Sequence, residues 1–124
     1  MDYQLMLRTA IVLLAVTALG GLLLAGIRFA GRPHPPTAIA MLHGLLAASG
    51  LTLLLYAAFT RGLPGSAWLG ILLLVVAAGG GLLLNLKYHW NREALPIWLV
   101  LVHAAAAVVG FLILTLGVWN LPAA

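Results

Sequence analysis

Two histidines stand inside long apolar stretches of this sequence, His43 within Ile39-Ala40-Met41-Leu42-His43-Gly44-Leu45-Leu46 and His103 within Trp98-Leu99-Val100-Leu101-Val102-His103-Ala104-Ala105. An imidazole surrounded by hydrocarbon must find a partner, because an unsatisfied polar group there is costly. A neutral imidazole is also the commonest protein ligand to metals. Each histidine is followed by small residues at i+4 and i+7: Ala47 and Gly50 after His43, Ala107 and Gly110 after His103. That spacing places each trio on one helical stripe. Bare zinc or copper calls for more ligands than two imidazoles. The apolar stretches offer no third, since Met41 falls elsewhere on its helix. A haem iron needs one axial imidazole on each face, and small residues beside each ligand leave room for a flat ring. The plain alternative is that each histidine hydrogen-bonds a neighbouring helix and does nothing else.

The elements that must hold these residues follow from composition. The chain has 124 residues, 65% of them hydrophobic and 6% charged, with a mean hydropathy of +1.18. A soluble domain carries about a quarter charged residues to cover its surface; this chain has lipid for solvent. There are no cysteines, which excludes disulfides, iron–sulfur clusters, thiolate zinc sites and c-type haem attachment. The net charge of +4 is not a nucleic-acid footprint. Arg8, Arg28, Arg32, Arg61, Lys87 and Arg92 all fall at or near the ends of apolar runs, where cations orient helices.

A membrane-spanning helix needs about 20 apolar residues. Four such runs occur, at about 5–27, 37–60, 67–86 and 96–119, separated by segments rich in glycine, proline and charge. Pro36 and Pro96 stand at the starts of the second and fourth runs, where a missing N–H does no harm. The first run is too long for a signal-peptide core, so a retained helix is expected. The expected fold is all-α, an integral membrane up-down-up-down four-helix bundle forming one domain. Arg28, Arg32, Lys87 and Arg92 outnumber Arg8 and Arg61, which puts the loops after the first and third helices in the cytoplasm and both termini outside.

A displacement of 60 residues brings unusual residues into register. Gly20-Gly21 falls on Gly80-Gly81, Arg32 on Arg92, Pro36 on Pro96, His43 on His103, Ala47 on Ala107 and Gly50 on Gly110. This reads as a tandem two-helix repeat, the first copy over about 5–60 and the second over about 67–120. Two spans per copy make the copies parallel, related by an axis along the membrane normal. Helices two and four then form one diagonal of the bundle, with both histidines at one depth nearer the cytoplasm. His34 and His89 are unrelated by the repeat and are expected as solvated interface residues in the cytoplasmic loops, with service to a second cofactor or receipt of haem propionates as the alternatives. Arg32 and Arg92, together with Arg28 and Lys87, surround the cytoplasmic mouth, where they would either pair with haem propionates or serve as topological anchors.

With His43-Gly44 and His103-Ala104 as would-be axial ligands on alternate helices, the chain resembles the membrane b-type cytochromes of the cytochrome b561 kind. The resemblance covers the four-helix core. That family carries two histidine pairs at opposite depths, and this sequence has one. It implies haem b as cofactor and one-electron transfer with a quinol or a redox partner protein, and it names no reaction. The competing readings are a membrane scaffold or accessory subunit and a small transporter. The latter is disfavoured because Asp2 and Glu93 both lie outside the apolar runs.

Overall fold

Each helix begins where the sequence supplies a start. The Asp2 carboxylate accepts a hydrogen bond from the Gln4 backbone N–H, and Pro36 and Pro64 occupy the N-cap positions of the next two helices. Pro96 precedes the fourth, its carbonyl accepting from Val100 as that of Pro36 accepts from Ala40. In the computed structural model, which describes residues 2–119 and 121, these signals open α1 (Tyr3–Phe29), α2 (Thr37–Arg61), α3 (Gly65–Leu83) and α4 (Ile97–Trp119). No strand occurs among the described residues. Asn120, at the expected end of the second repeat, lies outside them.

All four helices are long and apolar enough to cross a membrane, spanning 27, 25, 25 and 23 residues when the continuation of α3 is counted. At about 1.5 Å per residue each exceeds the roughly 30 Å of a hydrocarbon core. The distribution of side chains agrees. Leu19, Leu82 and Leu116 are more than half exposed, whereas the core is built around Ala10, Ala57, Ala67, Leu54 and Leu114. With lipid outside, leucine gains little by burial, and helices associate where small residues let backbones approach.

The third helix departs from the expected pattern at its end. The apolar run predicts a stop at Leu86 and a loop from Lys87. Instead the backbone continues as a π-helical turn over Leu84–His89, with Trp90 N–H donating to Asn85 O and Glu93 N–H to Tyr88 O. An i→i−5 pattern lodges an extra residue in the helix and rotates the residues beyond it.

Packing is heaviest within α1–α2 and within α3–α4, and α1–α4 and α2–α3 contacts close the ring. The bundle is therefore two hairpins side by side, with α2 and α4 across a diagonal. The hairpins are built alike. A Cβ on Gly50 would lie 3.3 Å from Ala10 O, and a Cβ on Gly110 would lie 3.0 Å from Gly70 O. Leu54 and Leu114 are the two largest fully buried side chains, at equivalent positions of α2 and α4.

Candidate functional site

His43 reaches from α2 to the backbone of α1, its Nδ1 2.9 Å from Thr17 O. His103 does the same from α4 to α3, its Nδ1 2.7 Å from Ala77 O. Thr17 and Ala77 are repeat equivalents. A carbonyl oxygen only accepts, so each Nδ1 carries the proton and donates it. The second ring nitrogen, Nε2, is left with a lone pair in both residues. A backbone carbonyl that fixes ring and tautomer is the usual partner behind a metal-binding imidazole.

Glycine makes this reach possible. A Cβ on Gly21 would stand 2.9 Å from His43 Cε1, and one on Gly81 would stand 3.0 Å from His103 Cε1. Gly20 and Gly80 lie just beyond, their hypothetical Cβ atoms 3.9 Å from His43 Cβ and 3.6 Å from His103 Cβ. The Gly-Gly pairs are thus shelves on which the imidazoles lie. Across the seam between hairpins the two rings meet edge-on, with centroids 6.1 Å apart and planes inclined by 76°.

Both histidines line a cavity of about 450 Å³, within the range of small-molecule and cofactor sites. Its wall alternates between the hairpins: Ala18 and Ala78, Gly21 and Gly81, Ala47 and Ala107 all contribute in repeat-related pairs. The polar groups are few and set apart. Beyond the two imidazoles, Arg28, Asn85 and His89 line the cavity near the chain ends of α1 and α3, and Thr52 lines it from α2.

The expected site residues divide accordingly. His43, His103, Ala47 and Ala107 come together on the cavity wall. Gly50 and Gly110 do not line it; they are buried at the close crossings within each hairpin. They share a helical stripe with the histidines, but its far end falls where the two helices of each hairpin approach closely. Arg32 and Arg92 are exposed and do not line the cavity. Arg32 lies beyond the left-handed Gly31, and Arg92 itself has φ 60°, so both are carried past the helix ends. Arg28, one turn earlier, takes the inner place.

His89 is the residue that sequence reasoning misplaced. It is not a solvated loop residue: its Nε2 lies 3.0 Å from Pro35 O, and it borders the cavity. The π turn brings it there. His34, in the loop after α1, has a buried Nδ1 without a hydrogen-bond partner among the described residues. No group of three or more histidine, cysteine, aspartate or glutamate side chains could hold a metal ion among the described residues.

No family model, curated protein or solved structure matches the chain. The site geometry carries the functional argument alone.

Proposed function

We propose that the chain is a membrane b-type cytochrome in which His43 and His103 ligate one haem b. One observation carries this reading: two imidazoles, each anchored through Nδ1 to a backbone carbonyl, line one apolar cavity with ring centroids 6.1 Å apart. With about 2 Å for each metal–nitrogen bond and about 1 Å from each nitrogen to its ring centre, two imidazoles sharing one metal atom stand about 6 Å apart. The alanine and glycine walls leave the space beside the imidazoles free of large side chains, and a haem seated there would bring its remaining iron ligands with it.

Bound there, the haem would supply reversible one-electron transfer. The residues of the chain contribute the rest. Thr17 O and Ala77 O hold both imidazoles in the Nδ1–H tautomer and fix their ring orientation. The leucine and alanine walls exclude water. The donor and acceptor are a quinol or a redox partner protein. The setting is a bacterial inner membrane with both termini on the periplasmic side, since four of the six basic residues flank the α1–α2 and α3–α4 turns.

The test is optical. Protein made in a haem-replete host should be red, with a low-spin Soret spectrum. His43→Ala or His103→Ala should each give a high-spin or haem-poor protein, and the double variant should be colourless yet still inserted. Two separate sites would instead lose half the absorbance per substitution. The runner-up, a scaffold in which the histidines only latch each hairpin, is favoured by the completeness of the Nδ1 bonds; colourless wild-type protein would put it ahead.

A further inference from the structure

The repeat that shapes the cavity fails at one end of it. Ala18/Ala78, Gly21/Gly81 and His43/His103 are paired across the seam, but Arg28 of α1 has Tyr88 as its equivalent, Asn85 has Ala25 and His89 has Phe29. Of these, Arg28, Asn85 and His89 line the cavity together. Among the described residues, Arg28 is the only Lys, Arg, Asp or Glu on its wall. It lies seven residues past Gly21, about 10 Å along α1 from the shelf under His43.

Arg28 is also held in place. Its Nε donates to Leu95 O at 2.8 Å, while Leu95 N–H donates to Pro33 O and His89 bonds Pro35 O. This mesh joins the two inner loops and spends one of the five guanidinium N–H donors on the backbone. The others have no carboxylate partner among the described residues, and the side chain is half-buried. A guanidinium held at the end of an apolar cavity without a counter-charge is an anion site.

Resting on the haem reading above, we infer that Arg28, with Asn85 on the same cavity wall and its Nδ2 otherwise on Met41 Sδ at 4.0 Å, receives the carboxylates of the cavity ligand and so fixes one orientation of that ligand in an otherwise two-fold cavity. The exposed Arg32 and Arg92 take no part. A lipid phosphate at the interface offers the same anionic oxygens, and the experiment separates the two sources.

The measurement is the affinity of apo-protein in detergent micelles for ferric protoporphyrin IX and for its dimethyl ester, which keeps the iron and the macrocycle and removes both carboxylate charges. The expected result is a preference for the free acid of about tenfold or more, the scale of one charge-assisted hydrogen bond. Arg28→Gln retains a donor for Leu95 O and should erase the preference; Arg28→Lys should keep part of it, and Arg32→Gln and Arg92→Gln all of it. The reduction potential should fall in Arg28→Gln, because a positive charge near the ring disfavours the oxidised state. Equal affinity of the unaltered protein for acid and ester would overturn the inference, and a preference for the acid that disappears when anionic phospholipid is added to the micelles would assign Arg28 to lipid phosphate and overturn it too; these comparisons need no variant to fold. A preference that survives in Arg28→Gln would overturn it as well. Binding of neither porphyrin would overturn the haem reading, and this inference with it.

Discussion

A Cβ built on Gly21 would stand 2.9 Å from Cε1 of His43, closer than real side chains come. The obstacle is a ring and not backbone, so Gly21→Ala should displace the imidazole before it disturbs the helices. The expected outcome is loss of the low-spin spectrum in haem-loaded protein, with the helical content and apo-protein Tm nearly unchanged. Gly81→Ala should behave alike through His103. Gly26→Ala and Gly79→Ala, where nothing lies within 4 Å, should keep the spectrum and gain up to about 1 kcal/mol in helix stability.

Gly70 meets a harder obstacle. Its Cβ would lie 2.7 Å from Leu114 N and 2.8 Å from Gly110 O, and backbone cannot swing aside. Gly70→Ala should therefore separate α3 from α4 at a cost of about 1–3 kcal/mol. Gly50→Ala would chiefly press on the Leu14 side chain, which has rotamers to use, and should cost less. Unfolding of the two variants in detergent with a common denaturant gives the comparison; an equal or reversed order would contradict it.

The bond from His89 to Pro35 O closes the cavity end by tying the π turn to the α1–α2 loop. Removing it in His89→Ala should cost about 0.5–1.5 kcal/mol and loosen residues 33–36 selectively. Hydrogen exchange should rise at Leu95, whose N–H donates to Pro33 O, and stay low at Leu54 and Leu114 in the core.

Topology is checked by reporters. Alkaline phosphatase fused after Trp119 should be active, and green fluorescent protein inserted between Arg32 and Pro33 should fluoresce. Replacing Arg32 and Arg92 together with alanine leaves Arg28 and Lys87 against Arg8 and Arg61, which evens the charge and should yield mixed orientation.

Much of this arrangement is legible in the residues themselves. Hydropathy alone delimits four spans, because a membrane helix must be apolar along its whole length. The register of His43 with His103 and of Gly20-Gly21 with Gly80-Gly81 anticipates two like hairpins whose imidazoles line one cavity. Other parts are silent in one dimension. Gly50 and Ala47 look the same to a stripe argument, and only the crossing of α1 on α2 decides that one packs and the other lines a cavity. The π turn at Leu84–His89 leaves no mark in composition, since Leu-Asn-Leu-Lys-Tyr-His suits an α-helix or its frayed end equally well. With that turn unseen, His89 could not be placed, and Arg28 could not be told from Arg32.

Each histidine latch spans only 26 residues of sequence and lies inside one hairpin, whereas the cavity lies between hairpins. Assembly and occupancy are thereby uncoupled in order. Either hairpin can close on its own as soon as its second helix enters the bilayer, with the imidazole already oriented. The seam between hairpins, more sparsely packed than either hairpin's interior, is the weaker joint, and the proposed haem bound across it would act as the rivet: its binding free energy would add to the docking of the halves and to nothing within them. Empty protein should come apart as two intact hairpins, and filled protein should melt as one.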